Sequence, residues 1–356
     1  MATHFFNPGY EVSIGKQISH YTPSKLVQRL RVDLQTLPLY YANDNEKVYI
    51  QSALPSHLVH DKMTDDRNKV SQLIPWGWAP ELCTLFPHLE LPYTAKEMTF
   101  LASRARSIEA WHAIKNSAFF LPNFLPPKKL EATDEINGAH VVKEEFSSSG
   151  RGITIVHDTH DATAIIRQIQ TKRRWFSIEP FYDISQEIGY EFHRNANGEI
   201  SYLGRHTAIT ENGKYIGSRL ETSDHTQYPT IPSEEDYINA LQTALQTLPL
   251  NHYKGILGVD TALCLIGTQY AYTPCLEVNI RPTMGYVAIK LQESYLGKQQ
   301  RGQFRILKKK DEDFRQILDQ TPLYMRENLT TLPPGIYPLT PIMQDTYFVA
   351  CLIVEE

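Results

Sequence analysis

The sequence predicts a mixed α/β chain with a small parallel α/β domain at its start and antiparallel strands interleaved with helices after it. Up to about residue 98, short apolar stretches ("HFFNP", "KVYIQSA", "SQLIPWGW") alternate with a helical pattern at "SKLVQRLRVDLQTL", the spacing of parallel strands joined by helices. Further on, "WFSIEPFYDISQEIGYEFHRNANGEISYLGRHTAIT" reads as several antiparallel strands with a turn at "NANGE". No internal repeat or low-complexity segment interrupts this pattern.

Taken in order, Thr22 or Ser24 beside Pro23 caps the first clear helix. A second helix is expected from about Ala95 to Asn116, ending in "FFLPNFLPPKKL", whose prolines make a stiff connection. Next come a strand, a Ser/Gly-rich turn and a second strand in "AHVVKEEFSSSGRGITIVHD", then a helix at "DATAIIRQIQTK". "SEEDYINALQTALQTL" opens on a capping residue and spaces its apolar residues by three and four, so it is a helix. A hairpin from Gly258 to Pro282 follows, and "YFVACLIVEE" closes the sequence as a strand.

Composition excludes several function classes. The 356 residues are 42% hydrophobic, enough for two or three compact domains, and the net charge of -5 carries no basic block that would suit nucleic acid. No apolar run approaches the roughly 18 residues that span a bilayer, and the first residues lack a basic-then-apolar signal pattern. A cytoplasmic protein with neither a membrane nor a nucleic-acid partner is expected. Cys83, Cys264, Cys275 and Cys351 form no C-x-x-C pair and are read as small core residues.

The chemistry centres on "LEVNIRPTMG", residues 276–285. In an extended strand Glu277, Asn279 and Arg281 share one face, and Leu276, Val278 and Ile280 share the other. A hairpin turning at Thr268 and Gln269 sets Asp260 directly opposite Glu277. Facing carboxylates destabilise a ladder by roughly 0.2–1 kcal/mol, more when desolvated, so a cation is expected between them. Two carboxylates and an amide oxygen suit a hard cation, Mg²⁺ or Mn²⁺, which in turn implies a phosphate-bearing cosubstrate. The alternative is a solvated sheet face on which Arg281 pairs with Glu277.

Two further segments bear on the same chemistry. In "VVKEEFSSSGRGI", Lys143 ends a strand, and Ser147, Ser148, Ser149, Gly150, Arg151 and Gly152 form a loop whose N–H groups can wrap anionic oxygens. It is neither a Walker A loop nor a G-x-G-x-x-G turn, and an ordinary exposed hairpin turn is the competing reading. In "IEPFYDISQEIGYEF", Glu187 can accept from ribose hydroxyls and the backbone of Glu179, Pro180 and Phe181 can pair with an adenine edge; exposed strand carboxylates are the competing reading.

In this order the lysine, the Ser/Gly loop, the two glutamates, Asp260 and "EVNIRP" resemble the ATP-grasp superfamily over roughly Ala95 to Glu293. The resemblance implies a pre-ATP-grasp domain at 1–98 and an ATP-grasp domain at 99–300, in which two α+β subdomains clasp ATP. About 118–190 is the clasping subdomain and 191–300 carries the metal site, with a C-terminal extension at 301–356. Carried over, Arg104 and Lys143 contact phosphates and the loop Ser147–Gly152 closes over them. Glu179, Pro180 and Phe181 mark the adenine hinge, and Glu187 the ribose. Asp260, Glu277 and Asn279 hold Mg²⁺ (or Mn²⁺), and Arg281 stabilises the transferred phosphoryl group.

The activity so implied is an ADP-forming ligase: a small carboxylate substrate becomes an acyl phosphate that an amine acceptor (or a thiol) attacks. Arg205 and Arg219 are candidates to receive an anionic substrate. A kinase acting on a hydroxyl, or a nucleotide-binding regulatory protein, shares the same nucleotide site. The extension at 301–356 either packs on the grasp or makes an oligomer contact, so a homodimer is one expectation.

Overall fold

The computed structural model describes the chain except for residues 17, 116–123, 148–151, 173, 212, 221–232, 251 and 327–330, and describes residue 269 by its backbone alone. The chain forms two compact units. The first comprises Met1–Met98, Gly204–His225 and Arg281–Glu356, and the second Thr99–Leu203 and Thr226–Ile280.

The first unit begins with the parallel sheet that the alternating pattern predicts. Its strands lie in the order Met63–Thr64, Lys47–Tyr49, Ala2–Phe5, Gln72–Pro75, all parallel. The helix Lys25–Asp33 precedes the second strand, and Ser24 caps it by accepting from the Val27 N–H. Phe5, Leu73, Leu82 and Phe86 pack together on one side of the sheet. Beneath the strand ends, Arg31 grips Glu81 with both forks, at 2.9 and 3.1 Å, and Asn7 donates to the same carboxylate at 3.2 Å. Asn7 also exchanges two hydrogen bonds with the Gly77 backbone, which joins the ends of the first and last strands.

The same unit holds an antiparallel set. Lys214–Leu220 pairs with the latter part of Ile200–Glu211 on one side and with Gly302–Lys308 on the other, and Phe348–Val354 and Gly335–Pro338 follow in turn. One face is covered by the helix Met284–Tyr295, the other by Phe314 and Ile317 over Leu307, Val349 and Cys351. The last strand is also tied to the N-terminal helix, because Asp33 accepts from the Tyr347 and Phe348 N–H groups, both at 2.9 Å.

The second unit holds two sheets. One orders Lys128–Lys129, Phe176–Pro180, Asn137–Glu144 and Ile153–Asp158, all antiparallel. The other is built on the strand Gly255–Ile266, flanked by Ile184–Arg194 on one side and by Gln269–Tyr272 and Glu277–Asn279 on the other. The helix Glu234–Thr247, capped by Ser233, seals its back: the Tyr237 hydroxyl donates to Thr261 and to the Thr273 carbonyl.

Three expectations need correction. The helix expected from Ala95 to Asn116 is two helices, Ala95–Ala102 and Ala105–Lys115, because Ser103 Oγ accepts from the Ala105 N–H and restarts the chain after a break at Arg104; residue 116 lies outside the described residues. The hairpin turns at Gly267 and Thr268, since Ile266 pairs with Gln269, and Gly267 takes the left-handed φ of +64° that the turn requires. Cys83 is exposed on the outer side of the short helix Glu81–Leu85, whose buried side is Glu81 and Leu82; only Cys264, Cys275 and Cys351 are core residues. Among the described residues no helix is long and apolar enough to cross a membrane.

Two measurements follow from this packing. Burial pushes the Cys264 and Cys351 thiols up to about 12 and raises Cys275 further. A thiol reagent at mildly alkaline pH should therefore label Cys83 alone in the folded protein and all four cysteines after denaturation; fast labelling of a second thiol would contradict the core assignment. Glu81→Ala leaves the Arg31 guanidinium, only 5% exposed, without its anion and should cost about 3–5 kcal/mol in denaturant unfolding. An apolar pair, Arg31→Met with Glu81→Leu, should recover most of that loss.

Candidate active site

The site assembles on one face of the second unit. Antiparallel pairing sets Asp260 opposite Glu277 and Gly258 opposite Asn279, the register expected around the carboxylate pair. The turn comes one residue early, but two extra residues between Thr273 and Leu276 restore the pairing. Thr273 still bonds to Ala262, whereas the Leu276 N–H reaches the Asp260 carbonyl at 2.8 Å. Asn279 Nδ2 donates to Asp260 Oδ2 at 2.9 Å, which leaves its amide oxygen for another partner.

The helix break supplies a cation. Arg104 leaves the helical path, and its Nη2 lies 3.2 Å from Glu277 Oε1 and donates to Ser147 Oγ at 3.0 Å, while Nε donates to the Glu144 carbonyl. Its Nη1 is buried with no partner. Ser103 turns the other way and donates to Glu145 at 2.7 Å; burial still holds the Glu145 carboxyl above the usual range. Ser107, one turn into the second helix, accepts from the Val278 N–H at 2.9 Å and so anchors the Glu277–Asn279 strand to the same helix.

Lys143 comes from the other sheet. Val141 pairs with Glu179 and Lys143 with Ser177, so Lys143 and Glu179 are diagonal neighbours on one face, and their side chains form an ion pair. Lys143 Nζ also reaches the Leu276 carbonyl at 3.4 Å, beside the carboxylate strand. Both partners are mostly buried. On the same face Val141, Ile153 and Ile155 present apolar surface, Ile155 being 50% exposed. Phe181 is 48% exposed just past Pro180.

Glu187 occupies the strand Ile184–Arg194, level with Ala262 and one step along from Asp260. Burial raises its carboxyl above the usual range, and the charge of Lys143 opposes that shift. Gly189 lies opposite Asp260 and adds no side chain to the face.

Of the loop residues, Ser147 donates to the Glu144 carbonyl, and Gly152 takes a φ of +67° with its carbonyl bonded to the Glu144 N–H. A Cβ at Gly152 would press on Glu144 and Ser147 at 3.0 Å. Ser148, Ser149, Gly150 and Arg151 lie outside the described residues. Arg281 belongs to the first unit, where its Nε lies 3.7 Å from Glu11 Oε1 and its guanidinium 5.9 Å from the Trp76 ring centre. Arg205 and Arg219 also lie in that unit, on neighbouring antiparallel strands. Two other basic residues of the same helical segment are engaged elsewhere: Arg106 pairs with Glu109, and Lys115 bonds the Phe124 carbonyl.

Sequence reasoning missed Glu191. It lies opposite Gly258, the residue that also faces Asn279, and is 1% exposed. The alternation of Glu187, Gly189 and Glu191 was visible and would have placed it on the carboxylate face. Ser107 and the apolar Val141, Ile153 and Ile155 carry no such signal.

No protein-family model matches the sequence, and no curated protein is similar to it. Solved structures are similar in fold. The N5-carboxyaminoimidazole synthetase of Staphylococcus aureus, in complex with ADP, superposes with a TM-score of 0.53 at 13% identity, over 100% of this chain and 93% of that one. The N5-carboxyaminoimidazole synthase of Aspergillus clavatus, with ADP and 5-aminoimidazole ribonucleotide, gives 0.52 at 9% identity, over 99% and 93%. An ATP-grasp superfamily protein from Archaeoglobus fulgidus gives 0.51 at 12% identity and spans both chains completely.

The Glu187 environment makes a testable statement about stability. A carboxyl whose folded pKa lies above its unfolded value stabilises below the unfolded value, and that contribution is lost as pH rises through the folded one. Without nucleotide, Glu187→Gln should therefore gain stability relative to the parent protein as pH rises above about 4. A stability difference that stays constant with pH would remove the burial argument.

Proposed function

On the premise that the chain has the ATP-grasp fold, we propose that it is an ATP- and Mg²⁺-dependent ligase that activates a carboxylate for attack by an amine. The observation that carries this reading is the facing pair Asp260 and Glu277, with the Asn279 amide beside them and the cations Arg104 and Lys143 at their margin. Carboxylate and amide oxygens are the donor set of a hard cation. The orphaned Arg104 Nη1, buried at the same place, fits an anionic oxygen.

In this reading Asp260, Glu277 and Asn279 would hold Mg²⁺ (or Mn²⁺), whose charge would offset the charge that grows on the phosphate oxygens. Arg104 and Lys143 bind phosphates, and Ser147, held against Arg104, stands beside them. Lys143 and Glu179 neutralise each other until a phosphate draws the lysine away. Val141, Ile153 and Ile155 offer an apolar platform for a purine ring, Glu179, Pro180 and Phe181 its edge contacts, and Glu187 a ribose contact. Arg281 stabilises the transferred phosphoryl group, and Arg205 and Arg219 receive the anionic substrate.

The substrate carboxylate attacks the γ-phosphorus in line and ADP leaves; the amine then attacks the acyl carbon and releases phosphate. The protein's contribution is positioning and electrostatics, so no nucleophilic side chain is needed.

The test is incubation with Mg-ATP, a panel of small carboxylic acids and a panel of amines, with ADP and free phosphate followed together. Equal release of both supports ligation. ADP with a stable phosphorylated product would instead point to a kinase, and nucleotide binding without turnover to a regulatory protein. Glu277→Ala should lower turnover about a hundredfold or more; unchanged turnover would remove the metal assignment.

A further inference from the structure

The antiparallel sheet of the first unit carries a second electrostatic arrangement. Register sets Arg219 opposite Gln303 and Gly217 opposite Arg305, so Arg219 and Arg305 are diagonal neighbours on one face. Arg219 also pairs with Thr207 on its other side, which continues that face. Two guanidiniums at this spacing repel each other, and among the described residues neither has a carboxylate partner.

The surroundings fix Arg305 in place. A Cβ at Gly217 would lie 2.7 Å from Arg305 Cδ and 2.2 Å from the Phe304 carbonyl oxygen, so the bare glycine is what lets the arginine stem cross the neighbouring strand. Arg305 Nη1 donates to Gln303 Oε1 at 3.2 Å, and Gln303 Nε2 donates to Glu355 Oε1 at 2.8 Å. The exposed Glu355 therefore orients the amide without itself pairing with the guanidinium. Arg305 Nε is buried with no partner. A fixed guanidinium edge with an unused N–H, next to the exposed guanidinium of Arg219, is suited to an oxyanion with two charges.

We propose that Arg219 and Arg305, steered by Gln303 and cleared by Gly217, form a binding site for a dianionic group, a phosphate monoester or a dicarboxylate, on the substrate of the proposed ligase. This rests on the ligase reading for the word substrate, whereas the anion site itself stands on the sheet alone. Planar two-point recognition of oxygens accounts for the choice of arginine over lysine at both positions.

The experiment is calorimetric titration of the full chain with glycerol 3-phosphate and, separately, succinate, with acetate as the singly charged control. The parent protein should bind one of the dianions at least about tenfold more tightly than acetate, and the tighter arm identifies the source of the charge. Arg219→Gln and Arg305→Gln should each weaken that binding about tenfold while Mg-ATP binding is unchanged. Arg219 is exposed, so Arg219→Gln alone decides the matter if Arg305→Gln fails to fold. Equal binding of acetate, no dianion binding, or full affinity in Arg219→Gln would overturn the proposal. Loss of Mg-ATP binding by the parent protein, with the dianion still held, would sink the ligase reading and leave this site standing.

Discussion

The second unit depends on one electrostatic constraint: a strand pairing that sets two carboxylates, Asp260 and Glu277, against each other in a partly buried sheet. Such a pair needs positive charge or polar hydrogen beside it. The chain supplies both. The Asn279 amide donates to Asp260, and Arg104 lies against Glu277. The break between the helices Ala95–Ala102 and Ala105–Lys115 exists at the position that lets Arg104 reach the strand, and Ser107 then holds that strand by its backbone. Local helix geometry is sacrificed to balance charge.

The same balance extends to Lys143 and Glu179, which neutralise each other on the adjoining sheet. Under the ligase reading, the charges that bind Mg-ATP are satisfied internally before it arrives. In that reading a divalent cation at Glu277 would take the place of the Arg104 guanidinium, which would then be free to meet a phosphate oxygen. Arg219 and Arg305 in the first unit differ in kind: among the described residues neither forms an ion pair with a carboxylate, and the site proposed there would take its counter-charge from an anion in solution.

Much of the fold could be read from sequence because its signals are local. Parallel strands in the first hundred residues, the capped helices after Ser24 and Ser233, and the "NANGE" turn all follow from periodicity and end-capping chemistry. The carboxylate register was also legible, since alternation in "LEVNIRP" and the distance back to Asp260 leave few pairings. The early turn at Gly267 and the compensating extra residues near Thr273 were not, because two local irregularities that cancel leave no trace in the overall spacing. Glu191 shows the opposite case: its alternation with Glu187 was visible, but its burial depends on what packs around the strand.

By itself the sequence determined which residues share a face, because side-chain alternation in a strand is a property of the backbone. It determined the oxygen-donor character of that face and the resemblance it carries. Only the tertiary structure showed that Arg104, the cation carried over from the resemblance, meets Glu277, because a helix break and not local spacing turns it toward the strand while Arg106 and Lys115 find other partners. Likewise, only the folded chain brings residues 204–225 and 281–356 into one unit with the first ninety-eight, and thereby pairs Arg219 with Gln303 and Asp33 with the last strand. Those contacts join residues separated by tens to hundreds of positions, and pairing at that distance is selected by packing and charge rather than by any local pattern.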